Sequence, residues 1–205
     1  MSDRQHTFKI VIRALFIAII ALQATVPMFG FIPLGFMSLT IIHITVIVAA
    51  IMLGPWDGIF VGLVWGIMTI VRAYTAPTTP LDTLVFTNPL VSVVPRVLVG
   101  LVAALVFWGV YKLVHRVSVA SIVAAFFATL TNTIGVLFFM GILYTDQVAS
   151  AYKVPSSGLL KVLGGLVLTN GIPEVIGAVI ITPLIVAALS AATHIKPWRT
   201  ATTIA

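Results

Sequence analysis

Thr87–Gly100 reads TNPLVSVVPRVLVG, an apolar run that carries a single arginine, Arg96. A helix beginning at about Pro89 puts Arg96 seven residues in, about 10 Å below the helix end at a rise of about 1.5 Å per residue. No Asp or Glu elsewhere in the run neutralises it. A cation on a lipid-facing surface at that depth is costly, so intramembrane charges face a bundle interior or a cavity and mark functional sites. Arg96 therefore reads as the counter-charge for an anionic small molecule. The competing reading is an arginine that snorkels to the interface or pairs with a loop carboxylate such as Asp82.

The surrounding chain fits a membrane setting. It has 205 residues, of which 60% are hydrophobic and 8% charged, against about 25% charged in a soluble domain. A polytopic membrane protein follows, built as one bundle over residues 1–205. The absence of cysteine removes disulfides, thiolate metal sites and cysteine nucleophiles together. A net charge of +6 points to nucleic acid only in a soluble chain, and no such partner is expected here. The first apolar run begins near Ile10 after a polar basic stretch. No small-residue cleavage site closes a short core, so no cleavable signal peptide is expected.

Six apolar segments are predicted as membrane-spanning helices, at about residues 10–26, 36–53, 56–74, 89–111, 118–144 and 158–192. Between the first two lies Met28–Gly35 (MFGFIPLG), whose two glycines and proline rule out regular helix. An apolar non-helical stretch at membrane depth must be covered by protein or line a cavity. It reads as a loop over the outer mouth, a lid or an interfacial turn. Gly54-Pro55-Trp56-Asp57 reads as a tight turn with Asp57 placed to cap the next helix. Gly54, Gly58, Gly62 and Gly66 recur every four residues, a side-chain-free stripe for close helix packing. Residues 73–88 and 145–157 read as long polar connections. Pro173 and Pro183 are expected to kink the last segment.

Six crossings place both termini on one side with Arg4, Lys9, Arg13, Lys112, Arg116, Lys196 and Arg199. Lys153, Lys161 and Arg72 fall opposite. The Lys/Arg bias sets the termini in the cytoplasm. The long connections and the MFGFIPLG loop then lie outside, beside the mouth from which Arg96 is reached.

Few polar residues fall inside the spans. Counted from the outer helix ends, Trp65 lies about 14 Å down, Asn132 about 18 Å and Asn170 about 14 Å. With Arg96 they form one band on four helices. A guanidinium binds a carboxylate through a fork of two hydrogen bonds. An Asn amide both donates and accepts, and Trp offers an apolar wall with one N–H. Thr131 and Thr133 flank Asn132. Each Asn is equally suited to helix–helix hydrogen bonding. Glu174, four residues after Asn170 and on roughly its face, is the one acid deep in a span. It is placed to pair with Arg96, to accept a ligand hydroxyl, or to stay protonated. His43 reads as a structural hydrogen-bonder. The set suits a small, flexible acid with hydroxyl and amide groups.

Missing motifs narrow the chemistry. There is no H-E-x-x-H, no G-x-S-x-G and no G-x-x-x-x-G-K-[ST], so metalloprotease, serine-hydrolase and P-loop ATPase readings have no support. Five acids without a neighbouring pair give no cluster for Mg²⁺-dependent lipid chemistry. Neither a catalytic residue nor a metal site nor a cofactor is expected in this chain.

Several stretches together resemble the S components of energy-coupling factor (ECF) vitamin transporters. They are the alanine stripe of the first helix (Ala14-Leu-Phe-Ile-Ala18), the FIPLG loop, IHITVIVAAIMLGP running into GLVWGI, and PLVSVVPRVLVG. The likeness spans Ile10–Ala192 and is greatest to the pantothenate-specific members. It implies an all-α integral membrane protein, a six-helix bundle of the S-component type with both termini cytoplasmic, in the plasma membrane of a prokaryote. It implies capture of a vitamin outside the cell and docking on a shared module. That module has one transmembrane T component and two ATP-binding subunits, which supply the ATP and Mg²⁺. Ala14 and Ala18 match the family's AxxxA docking motif, extended here by Ala21 and Ala24. A pantothenate ligand agrees with the band: one carboxylate for Arg96, hydroxyls and an amide for Asn132, Asn170 and Trp65.

Other functions remain open from sequence. A hydroxymethylpyrimidine or pyridoxine ligand would leave Arg96 without its partner. An autonomous proton-coupled acid carrier would use Glu174. An intramembrane enzyme on lipid-linked substrates lacks its motifs.

Overall fold

The computed structural model describes residues 3–26, 29–34, 37–193 and 195–200. Within the MFGFIPLG stretch, Met28 and Gly35 fall outside these residues, as do Phe36 of the second predicted segment and His194 and residues 201–205 of the tail. Among the described residues the elements are helical apart from one hairpin. Helix α1 (Asp3–Thr25) leads to strands β1 (Phe31–Leu34) and β2 (Met37–Thr40). Then come α2 (Ile42–Leu53), α3 (Pro55–Thr75), α4 (Pro80–Leu84), α5 (Pro89–Ser92), α6 (Val94–Val114) and α7 (Val117–Leu143). The chain continues through α8 (Thr145–Ala151), a 3₁₀ turn (Ser156–Gly158), α9 (Leu159–Leu166), a π-helical turn (Val167–Gly171) and α10 (Ile172–Thr193). Pro55–Thr75, Pro89–Val114, Val117–Leu143 and Ser156–Thr193 are long and apolar enough to cross a membrane. Ile10–Thr25 and Ile42–Leu53 are shorter apolar helices.

Three predicted segments differ from the structure, each for a local reason. The second begins as a strand, with the helix starting only at Ile42. β1 and β2 pair antiparallel, Phe31 opposite Thr40 and Leu34 opposite Met37. A short apolar run fits strand or helix equally by periodicity. Here the pairing satisfies backbone groups that an apolar non-helical stretch would otherwise bury without partners.

The fourth segment breaks at Val93, between α5 and α6. Pro95 has no N–H to give to the carbonyl of Val91, four residues back. The sixth is interrupted ahead of Pro173, where the chain widens: the N–H of Ile172 donates to the carbonyl of Val167, five residues back. Such π turns appear mostly as single turns inside α-helices, frequently at functional sites. Pro183 lies inside α10. Of the two connections predicted as loops, residues 73–88 contain α4 and residues 145–157 contain α8.

The glycine stripe sets the spacing of the bundle centre. A Cβ on Gly62 would lie 2.3 Å from the Arg96 carbonyl oxygen, and one on Gly66 2.8 Å from the Ser92 carbonyl. One on Gly58 would lie 2.6 Å from the Ala50 Cβ and 2.8 Å from the Gly100 carbonyl. The missing side chains let α3 approach the backbone of α5 and α6 and so fix where Arg96 begins. Gly54 belongs to a different device. At φ 108° it turns α2 into α3, a conformation that favours glycine. Asp57 does not cap α3 with its side chain; it forms an ion pair with Arg13 of α1.

Gly62→Ala is expected to destabilise the protein by about 1–3 kcal/mol, the range for over-packing against atoms that cannot yield. Gly109→Ala, where no atom lies within 4 Å of the added Cβ, is the control and is expected to be neutral or slightly stabilising. Thermal unfolding of both variants in detergent checks the contrast.

Candidate ligand-binding site

A cavity of about 570 Å³, counting its mouth, opens beneath the hairpin. The hairpin contributes Phe31, Ser38 and Thr40; α3 contributes Thr69 and Arg72, and α4 Asp82. Arg96 comes from α6, Asn132, Thr133, Val136 and Leu137 from α7, and Asn170 and Glu174 from the π turn and α10.

Arg96 is 3% exposed. It lies in the first turn of α6, not seven residues into a continuous helix as the sequence suggests. The carbonyl that Pro95 leaves unpaired, that of Val91, accepts from Arg96 Nη1 at 2.7 Å. The guanidinium stands 5.0 Å from the Trp65 ring and 5.4 Å from the Phe86 ring. Its Nε has no hydrogen-bond partner among the described residues. Among those residues the salt bridges are Arg13–Asp57 and Arg72–Asp82, and Arg96 belongs to neither. Both competing readings of this residue fail. It does not snorkel, and Asp82 is committed elsewhere.

That commitment is close. Arg72 Nη2 donates to Asp82 Oδ1 at 2.8 Å and Nη1 to Thr78 Oγ1 at 2.8 Å. Asp82 Oδ2 accepts from the backbone N–H groups of Thr78 (2.7 Å) and Thr79 (2.8 Å), and from the Thr78 hydroxyl at 2.9 Å. The guanidinium of Arg72 lies 3.9 Å from the centre of the Phe31 ring. The site therefore holds two buried arginines in unlike states. One is neutralised by a fully bonded carboxylate. The other is bonded to a single carbonyl.

The remaining predicted residues divide. Asn132, Asn170 and Glu174 line the cavity together with Arg96. Asn132 Oδ1 and Asn170 Nδ2 have no hydrogen-bond partner among the described residues, so each offers one polar end to the cavity. Glu174 does not pair with Arg96 within salt-bridge distance. Its Oε1 accepts from the Thr40 N–H at 2.6 Å, tying the hairpin to α10. Trp65 is fully buried and off the cavity wall, packed behind Arg96. Thr131 is also off the wall, and its hydroxyl donates to the Phe127 carbonyl on its own helix. His43 is buried away from the cavity.

Sequence reasoning passed over Thr133, Thr40, Ser38 and Arg72. Thr133 was within reach of the pattern: Asn132, Thr133, Val136 and Leu137 form one stripe at helical spacing, and Thr131 lies off it. Arg72 reads as an ordinary cation near a helix end. The Thr79-x-x-Asp82 capping box, present with both of its hydrogen bonds, was the signal that Asp82 is held locally.

The profile of the family described as "ECF transporter, substrate-specific component" matches residues 8–186. The chain belongs to this family. A pantothenate transporter, PanT, from Leuconostoc mesenteroides subsp. mesenteroides is 36% identical over 191 residues, which cover 90% of this chain and 93% of the relative. A pantothenic acid transporter, PanT, from Lactococcus lactis subsp. cremoris is 36% identical over 165 residues, covering 75% and 78%. This ECF substrate-specific component is thus a membrane transport subunit and not itself an enzyme. On its α1, Ala14 and Ala18 are exposed, Ala21 is half-buried and Ala24 is buried.

In this ECF component, Asp82→Ala removes the carboxylate from a pair whose side chains are 8% and 2% exposed. Leaving Arg72 charged and buried is expected to cost about 3–5 kcal/mol. Replacing both partners by apolar residues of similar volume is expected to recover most of that loss. Denaturant unfolding of the single and double variants checks it.

Proposed function

We propose that this chain is the pantothenate-capturing subunit of an ECF-type importer, and that the cavity under the hairpin is its binding site. The observation that carries the reading is the contrast between the two buried arginines. Arg72 has its carboxylate, and Arg96 faces the cavity without one. A ligand carboxylate would complete Arg96. Asn132 Oδ1 and Glu174 would accept from ligand hydroxyls, and Asn170 Nδ2 and the Thr133 hydroxyl would serve the amide. Trp65 holds the guanidinium from behind, and Phe31 and Phe86 supply apolar wall. The naming of both relatives as pantothenate transporters supports the choice of acid.

The rest of the proposal follows from the family. The chain crosses a prokaryotic plasma membrane six times with both termini in the cytoplasm. It docks through Ala14, Ala18 and Ala21 on one transmembrane T component. Two ATP-binding subunits of the shared module carry the ATP and Mg²⁺ that drive import. Small residues at that surface allow close helix approach, and the exposure of Ala14 and Ala18 leaves them accessible to a partner.

Arg96→Ala is expected to weaken pantothenate binding more than tenfold while the protein remains folded. Calorimetry with the purified protein measures this, and an unchanged affinity would remove the carboxylate role. Ala14→Trp and Ala18→Trp are expected to leave pantothenate binding intact and to abolish assembly. Co-purification with the T component reads the outcome, and normal recovery of the complex would remove the docking assignment.

A further inference from the structure

The neutralised arginine also stands on the cavity wall. A buried ion pair gains little stability over apolar side chains of the same volume, because two charges must be desolvated. Arg72 and Asp82 nevertheless line the ligand cavity, and what they hold there is a ring. The Arg72 guanidinium lies 3.9 Å from the centre of Phe31. Its plane is fixed at two nitrogens, Nη1 on the Thr78 hydroxyl and Nη2 on Asp82, each at 2.8 Å. The Thr78 hydroxyl gives its hydrogen to Asp82 Oδ2 at 2.9 Å. The Ser38 hydroxyl on β2, 3.3 Å away, is therefore the donor in its contact with Thr78. One network thus holds β1 through the Phe31 ring and β2 through Ser38.

A second tether acts on the same rung of the hairpin. Phe31 pairs with Thr40, and the Thr40 N–H donates to Glu174 Oε1 at 2.6 Å. Directly opposed residues of an antiparallel pair carry their side chains on one face. Here that face is turned to the cavity, since Phe31 and Thr40 both line it. Arg72 covers one side of the Phe31 ring, and the rest of the ring borders the cavity.

The part of the ligand that meets this ring follows from its neighbours, given the pantothenate reading on which this inference rests. In that reading the carboxylate, the hydroxyls and the amide take the polar side chains. Two methyl groups remain, on the quaternary carbon between the two hydroxyl-bearing carbons. Glu174, an acceptor for a ligand hydroxyl, is bonded to Thr40, the residue opposite Phe31. Methyl groups one carbon away from either hydroxyl therefore fall beside Phe31. Phe86 belongs to the carboxylate end, its ring centre 5.4 Å from the Arg96 guanidinium.

We propose that Phe31 forms the subsite for the branched alkyl unit of the ligand, and that Arg72 is the positioning residue that holds the ring there. A cation stacked on an aromatic face away from water is a strong contact. A planar guanidinium fixed at two nitrogens gives the ring one orientation, which a lysine ammonium does not.

Calorimetry on the purified full chain compares pantothenate with the analogue in which hydrogens replace both methyl groups. The ratio of the two affinities is the readout. The parent is expected to bind the analogue roughly tenfold more weakly, the effect of two buried methyl groups. Phe31→Ala removes the subsite, and Arg72→Lys keeps a charge beside Asp82 without the planar fork. Each is expected to cut the ratio to about threefold or less, and the double variant to show no further drop. Equal losses for both ligands in Arg72→Lys would leave the ratio at its parent value, the mark of a merely structural arginine, and would overturn the positioning role. A further drop in the double variant would make the two residues independent and overturn it as well. A parent ratio retained in Phe31→Ala would place the methyl groups elsewhere and overturn the subsite. A parent chain that binds neither compound would instead remove the pantothenate reading itself, and the subsite with it.

Discussion

One missing N–H governs the candidate site. Pro95 cannot bond the carbonyl of Val91, and Arg96, the next residue, supplies a guanidinium hydrogen at 2.7 Å instead. A cation in the first turn of a helix faces the positive end of the macrodipole, which is unfavourable. The arrangement is tolerable because the guanidinium turns back to the carbonyl end of α5 and rests near the Trp65 and Phe86 rings. One carbonyl and two ring faces leave the charge incompletely compensated. A buried cation in that state favours any anion that can reach it.

The rest of the bundle presents that group. Glycines on α3 remove the atoms that would keep Gly62 from the Arg96 carbonyl, so α3 and α6 close together. Asp82, fixed by the backbone N–H groups of Thr78 and Thr79, absorbs the charge of Arg72 and is unavailable to Arg96. The π turn opens the last span where Asn170 and Glu174 enter the cavity. Glu174 spends one oxygen on the Thr40 N–H, which seats the hairpin over the site. Each of these features is structural on its own. Together they separate the site's two positive charges into one that is paired with a protein carboxylate and one that is not.

Much of this was legible in the sequence, and what was not has physical reasons. A charged or amide side chain in an apolar run stands out because its burial is costly, so Arg96, Asn132, Asn170 and Glu174 were visible at once. The apolar segments were visible for the same reason. The hairpin was not, because the apolar residues after Gly35 carry no period that separates strand from helix. The break at Val93 and the π turn follow from Pro95 and Pro173, but a proline states only that a hydrogen bond is lost, not how the chain responds. Trp65 was placed in the right band but one layer too far forward, since helical spacing gives a face and not the depth of its neighbours. Thr131 and Thr133 flank Asn132 equally, and it is the stripe with Val136 and Leu137 that puts Thr133, and not Thr131, on the cavity wall.

The central claim is that the acid group of the ligand completes Arg96. The most direct measurement compares, on the unaltered protein, the affinity for pantothenate with that for its primary amide, which keeps size, hydroxyls and internal amide and loses only the charge. The account expects the amide to bind roughly a hundredfold more weakly, the equivalent of about 2.8 kcal/mol for an unpaired buried charge. Equal affinities would contradict it.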